Sequence, residues 1–592
     1  MSMRRSCWLL LPILAVTAGT FVTGVGWGLP SRAADPFLFG DRPAWSGEEI
    51  CAHAPPPPDD PTHGADVDVD PVAERDRPVC VNCTDRQRAE IVRRYRLASY
   101  QPDEIITFMA LAGMRPGQGR LDPKLYQYGG LWIYPVGVLL KGASWCGAVT
   151  LTPDMAYYLD HPERFGRFYI VARLYAAGWG LAGAIIVFWM ARRLAGGCAI
   201  TATGAALCYA VLPVVVNMAH EAKPHLPGGV LMLLAVAAAM RYLETGLRRW
   251  WFAMACACGA ALGMVLSAWP TFVVIPLAVM LRERAWRRRV GMALAGVAVG
   301  GAVYLATNPY IPINLLVNRA VLRSNFGNSL AMYELARFGE GTVNALRLIL
   351  EAAALAPMAL GLAGLGGFAW AAARRVGRRK GLVETTGVAL QRRGGLLLAV
   401  LAGVVFLQFC ALGAGKPPEY ARFGLFPAVA LAIGGFVALG RWVPSPAARA
   451  VTAAFVVALT AVTGLSYVAG FVRDSGPPTT RLLTAAKLEE LRAQGGRTMG
   501  VPAEPAPYLL PPVNLFDWRI VLMPRRPDAA ALSSVDVLVR PWGTGPFAAE
   551  GFEADDPAFE RRWGLCRTPV SWADKPFQII VQFSADVAKG TP

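Results

Sequence analysis

The stretch Gly395–Gly413, GLLLAVLAGVVFLQFCALG, runs without a single Asp, Glu, Lys or Arg. As a helix it rises about 28 Å, close to the ~30 Å hydrocarbon thickness of a bilayer. Arg392-Arg393 stands just before it, and Gly415-Lys416-Pro417-Pro418-Glu419-Tyr420-Ala421-Arg422 just after. Working outward, the same alternation of apolar run and short polar punctuation recurs. It predicts spans near 7–28, 168–191, 198–217, 225–243, 250–266, 268–281, 290–307, 345–373, 395–413, 423–440 and 450–472, about eleven transmembrane helices in all. A further apolar segment near 129–149 is broken by Pro135 and Lys141 and reads as an interfacial or re-entrant helix. The whole chain agrees: 592 residues, 54% hydrophobic, 17% charged and mean hydropathy +0.38 exclude an ordinary water-soluble protein. The fold class expected is a polytopic α-helical membrane protein.

The net charge of +17 is not the footprint of a nucleic-acid binder, because the cations are mostly Arg in small clusters between apolar runs. Arg4/Arg5, Arg192/Arg193, Arg241/Arg248/Arg249, Arg282 to Arg289, Arg374 to Arg393 and Arg441/Arg449 all fall on one side of the eleven-span arrangement. The positive-inside rule then puts the N-terminus in the cytoplasm and the C-terminus outside, in a multi-pass protein of the cell inner (plasma) membrane. Lys223, Lys416 and Arg422 break the pattern, each on the outer side.

Four regions follow: an N-terminal transmembrane helix at 1–28, a large extracytoplasmic loop at 29–167, a multi-span domain at 168–472 and an extracytoplasmic α/β domain at 473–592. The first run could also be a cleaved signal peptide ending near Ser31-Arg32-Ala33-Ala34, although its length favours a retained anchor. The tail carries an amphipathic helix near 479–494 and β-like runs at Thr498–Val501, Ile520–Met523, Val535–Val539 and Ile579–Phe583. Within the first loop, the proline-rich acidic stretch near 54–78 reads as a flexible insertion. Its Asp66-Val67-Asp68-Val69-Asp70 lacks the Gly and closing carboxylate of a calcium loop. Cys51, His53, Cys80 and Cys83 have the residue types of a zinc site, but a disulfide from Cys51 to Cys80 or Cys83 is the commoner outcome in an oxidising compartment; free thiols are the third possibility. Metal dependence stays open at this point.

Polar residues concentrate at Asp103-Glu104, at His220-Glu221-Ala222-Lys223-Pro224-His225, at Asn308-Pro309-Tyr310 and at Gly415 to Arg422, all on the outer side. A carboxylate can deprotonate an acceptor hydroxyl while Arg and Lys hold a phosphate leaving group. Each feature also has a plain structural explanation. Asp103-Glu104 can be a helix-start acid pair, and Lys223, Lys416 and Arg422 can be interfacial anchors. Their coincidence on one side favours the chemical reading.

The segments Tyr100-Gln101-Pro102-Asp103-Glu104 and Tyr126-Gln127-Tyr128-Gly129-Gly130-Leu131-Trp132-Ile133-Tyr134 resemble the first outer loop of GT-C fold glycosyltransferases that use polyprenyl-phosphate sugars. The likeness is to the branch of protein O-mannosyltransferases and aminoarabinose transferases. Arg173 in Val171-Ala172-Arg173-Leu174 and Arg422 in Glu419-Tyr420-Ala421-Arg422-Phe423-Gly424 are similar to recurrent patterns of that family, and the resemblance covers roughly residues 7–472. At Pro224-His225-Leu226-Pro227 this chain departs from it, with His225 where the family usually has an acid and Glu221 as the alternative carboxylate. The resemblance implies sugar transfer from a lipid phosphate to a hydroxyl of a protein, lipid or glycan acceptor, with inversion. It implies Asp103 as general base with Glu104 beside it, Lys416 and Arg422 as the donor-phosphate site, and Glu221, Lys223, His225, Tyr128 and Tyr420 around the substrate. The donor is a substrate, and no cofactor is certain. The competing expectation is a transporter or flippase of lipid-linked saccharides, which needs the outer cations but no catalytic carboxylate; a membrane scaffold is the third.

Overall fold

The computed structural model describes residues 3–55, 78–376, 386–416, 418–493, 495–501, 506–507, 510–524, 530–531, 534–541, 552–554 and 579–584. The acidic insertion expected near 54–78 falls almost wholly outside them. Chain contacts divide the protein into two units. The first comprises Met1–Val22, Lys124–Pro135 and Leu174–Tyr467, and the second Thr23–Pro123, Val136–Arg173 and Val468–Pro592. Part of the first loop goes with the helices and the rest with the tail.

The first unit is helical. Among the described residues six helices are long and apolar enough to cross a membrane: Pro162–Leu194, which begins in the second unit, His225–Thr245, Trp286–Thr307, Gly387–Leu412, Tyr420–Trp442 and Pro446–Arg473. Two bent pairs raise the number to eight, Ala199–Ala210 with Pro213–Ala219 at 54° and Arg319–Leu350 with Leu355–Phe368 at 117°. The first bend sits where Pro213 removes an N–H from the helical ladder. At the second, buried Ala354 takes φ 58°, which ends the preceding helix. Length and composition thus single out six to eight of the eleven expected spans among the described residues. The runs at 7–28, 250–266 and 268–281 are helical, but as Trp8–Val22, the 17-residue Arg248–Met264 and Leu266–Arg282, whose first part is a 3-10 turn containing Pro270. These three apolar stretches are shorter than the six helices named above.

His225–Thr245 is the innermost of the long helices, 89% buried along its apolar window. Between Arg248–Met264 and Trp286–Thr307 the backbones nearly touch. A Cβ on Gly259 would lie 2.1 Å from the carbonyl oxygen of Gly300, so only glycine permits this approach, the small-residue packing common in membrane helices.

The second unit is built on a six-stranded sheet of β1 (Val79–Cys80), β2 (Thr498–Val501), β3 (Arg519–Leu522), β4 (Val537–Pro541), β5 (Phe552–Ala554) and β6 (Ile579–Ser584), in the order β1-β3-β2-β4-β6-β5. β2 pairs in parallel with β3 and β4, and the outer pairings are antiparallel. The expected tail strands are present, together with the helix Thr480–Ala493. Not expected was β1, which belongs to the first loop and joins the tail sheet by pairing with β3. Buried Asn82 fixes that junction: its amide donates to the carbonyls of Leu515 and Trp518, and its oxygen accepts from the Ile520 N–H. Asn82 is thereby spent inside the fold.

The disulfide joins Cys80 to Cys83, and Cys51 keeps a free thiol. The expected bond from Cys51 is corrected, since the two cysteines three residues apart meet in the tight turn between β1 and the helix Asp85–Leu97. Cys80 and Cys83 are thus bonded to each other, and among the described residues no group of three or more His, Cys, Asp or Glu is gathered as for a metal ion. His53 stacks instead on Trp45, with ring centroids 4.8 Å apart.

Candidate functional site

The helix Gly387–Leu412 gives way to a turn in which Gly415 adopts φ +64°. Asn344, from the neighbouring helix Phe338–Ala353, holds this turn by donating its amide to the carbonyls of Gly413 (2.7 Å) and Lys416 (2.9 Å). A 3-10 helix, Pro418–Gly424, then carries Tyr420, Arg422 and Phe423 to the start of the next span. The Arg422 guanidinium lies 4.8 Å from the Tyr420 ring centroid and 5.5 Å from that of Phe423. Lys416 Nζ lies 5.7 Å from the same Tyr420 ring and 3.6 Å from a Glu334 carboxylate oxygen. One aromatic side chain thus carries both expected donor-phosphate cations. Stacking engages the face of a guanidinium while bidentate phosphate contact uses its edge, so the two are compatible.

His225 opens the central helix, with its ring edge-on to Phe423 at 5.8 Å and to Tyr128 at 6.0 Å. His225, Arg422 and Phe423 share a small cavity with Ser267, Ala268 and Gln408, about 40 Å³ in volume. That is room for a few water-sized groups, the scale of a phosphate.

Tyr128 is fixed by close backbone packing. Gly129 donates to the carbonyl of Met264, and the Leu266 N–H to the carbonyl of Gln127. A Cβ on Gly129 would sit 2.0 Å from the Gly263 carbonyl oxygen, and one on Gly130 1.9 Å from that of Thr307, so neither position admits a side chain. Asn308 accepts from the Gly130 N–H at 2.8 Å, which gives the Asn308-Pro309-Tyr310 cluster a structural task.

The remaining residues expected around the substrate lie deeper. Lys223 is fully buried with its Nζ 3.2 Å from a carboxylate oxygen of Glu221, which is 5% exposed. They form a closed ion pair behind His225 rather than a lining of the cavity.

In the second unit, Ser99, Gln101 and the 3-10 turn Pro102–Glu104 shape the acid pair. The Gln101 side chain accepts from the Asp103 N–H, and the Ser99 hydroxyl bonds the Glu104 carboxylate. Asp103 is partly exposed, whereas Glu104 is sealed against Arg173 in a two-point contact, Nε to Oε1 at 2.8 Å and Nη2 to Oε2 at 2.6 Å. Arg173 also donates to the carbonyls of Val25 and Trp27. Two neighbours with the same charge therefore have different surroundings, and only Asp103 keeps access to solvent.

Sequence reasoning missed Asn344, Glu334, Tyr333 and Gln408. Gln408 had a readable signal, a lone amide within the apolar run Leu401–Leu412. The others sit in segments with no distinguishing pattern and become visible only when the helices pack.

No protein-family model matches the chain, and no curated protein matches it. Two solved structures of ArnT from Cupriavidus metallidurans resemble it, each 16% identical over 78% of this chain. The one bound to undecaprenyl phosphate has a TM-score of 0.38 with 94% of its own chain covered, and the apo one 0.39 with 89%.

Proposed function

We propose that this protein is a membrane glycosyltransferase of the GT-C type, moving a sugar from a polyprenyl phosphate to a hydroxyl acceptor on the outer face of the plasma membrane, with inversion. The observation that carries the reading is the pairing of Lys416 and Arg422 on Tyr420, with Arg422 lining a phosphate-sized cavity beside His225. Lys416 already has the Glu334 carboxylate beside it, and a lipid phosphate, which brings its charge to that depth, offers the two cations an anion they can share.

In the mechanism, Arg422 contacts two phosphate oxygens and Lys416 supplies a point charge, exchanging its Glu334 partner for the phosphate. Their positive charge stabilises the departing lipid phosphate as the sugar–oxygen bond breaks. Asp103 takes the acceptor's proton. Glu104, already bonded on both oxygens, holds the loop that presents Asp103. Glu221 and Lys223 hold the turn that presents His225. A flippase would share the cations but would have no use for Asp103.

Donor turnover in cation variants tests the phosphate assignment. Arg422→Lys keeps the charge but loses the planar fork and is expected to weaken donor use about 10-fold or more, whereas Lys416→Arg is expected to be milder. Unchanged donor affinity and turnover in a folded Arg422→Ala protein contradicts the assignment and leaves Arg422 as an interfacial anchor.

A further inference from the structure

The cavity beside Arg422 continues, through hydrogen bonds, to an aromatic side chain outside it. Gln408 is 6% exposed and lines the cavity, and its amide donates to the Ser267 carbonyl at 3.1 Å and to the Tyr333 hydroxyl at 2.9 Å. The Tyr333 hydroxyl in turn accepts from Trp269 Nε1 at 3.3 Å. Trp269 is nonetheless 47% exposed. Its polar edge is thus fixed to the cavity wall while part of the indole remains uncovered. A tryptophan serving only as an interfacial anchor places its N–H among lipid headgroups and water. Here the N–H is spent on a side chain that itself bonds the wall of the phosphate-sized cavity.

We propose that Trp269, held by Tyr333 and Gln408, is the platform on which the sugar of the lipid-phosphate donor stacks, and that the sugar is a pyranose. The proposal rests on the donor reading above, and deepens it by giving the sugar a place and a class. Trp269 directly follows Ser267 and Ala268 of the cavity lining, so a sugar joined to a phosphate held at Arg422 comes within reach of the indole. A pyranose offers one face of C–H bonds to an indole and its hydroxyls to the edges around it, a contact that is apolar on one side and wet on the other.

Binding of two lipids to the purified full-length protein tests this: undecaprenyl phosphate alone, and undecaprenyl phosphate carrying mannose or glucose. Wild-type protein is expected to bind a glycosylated lipid more tightly than the bare one. Trp269→Ala is expected to lose about 10-fold affinity for the glycosylated lipid and none for the bare one, and Trp269→Phe to retain most of the preference because the ring is kept. Tyr333→Phe, which cuts the hydrogen bonds that position the indole, is expected to fall between them. An equal loss for both lipids in Trp269→Ala, or no loss for either, overturns the platform while leaving the phosphate site standing. Binding of neither lipid to wild-type protein overturns the donor reading itself, and the platform with it.

Discussion

Glu104 and Arg173 give the sharpest energetic test of the acid pair, because the two readings of Glu104 predict opposite outcomes. Both side chains are fully buried, joined at 2.8 and 2.6 Å, and the Arg173 guanidinium also serves the carbonyls of Val25 and Trp27 and lies 5.0 Å from the Trp27 ring centroid. Removing one partner of a buried pair leaves the other charge uncompensated, at a cost of about 3–5 kcal/mol. Arg173→Ala also abandons two carbonyl acceptors, each worth about 1 kcal/mol or more. The total of about 5 kcal/mol or more is of the order of a whole domain's stability. Glu104→Gln keeps the shape but loses the charge, and is expected near the lower end, about 3 kcal/mol. The double variant Glu104→Leu with Arg173→Met removes both charges together. It leaves chiefly the Val25 and Trp27 carbonyls unsatisfied and is expected to cost less than the sum of the single changes by about 2 kcal/mol or more. The assay is the thermal unfolding midpoint of the full chain in detergent, with protease resistance as a second probe. Wild-type midpoints in both single variants refute the buried-pair reasoning. Abolished turnover with an unchanged midpoint in Glu104→Gln moves Glu104 into the chemistry.

Two further outcomes follow from the topology and the first loop. A reporter fused after Pro592 is expected to be active only outside the cytoplasm, and one placed at 377–385 only inside; the same sidedness for both contradicts the arrangement read from the Arg clusters. Mass spectrometry without reduction is expected to find Cys80 joined to Cys83 and Cys51 open to a thiol label, while a peptide linking Cys51 to either of the others restores the pairing that spacing alone suggested.

Much of this fold was legible in the sequence because it depends on local signals. Apolar runs such as Gly395–Gly413 announce helices by composition, and the tail strand Thr498–Val501 appears at its expected residues because alternation and flanking turn residues define it locally. Composition and length part company in the shorter apolar helices. Leu266–Arg282 is apolar throughout, but Pro270 gives it a 3-10 opening and it stays short. The pairing of β1 with β3 was not legible, since it joins residues more than 400 positions apart and is fixed by Asn82, whose partners are backbone atoms. The site divides the same way. Lys416 and Arg422 stood out because cations break the one-sided charge pattern, and the structure brings both to Tyr420. Asp103 and Glu104 looked alike as neighbours in sequence, and burial against Arg173 is what separates them. Asn344, Tyr333 and Glu334 act through contacts made by packing, which no local pattern encodes.

The central claim is that the chain transfers a sugar from a lipid phosphate by proton removal at Asp103. Purified wild-type and Asp103→Asn proteins, incubated with polyprenyl phosphate bearing a labelled sugar and with membrane extract, measure it directly. The account predicts label moving from lipid to acceptor in the wild type and a fall of about 10²-fold or more in Asp103→Asn, with donor binding and unfolding midpoint unchanged. Label that never leaves the lipid in wild-type protein, or transfer at the wild-type rate in Asp103→Asn, contradicts it.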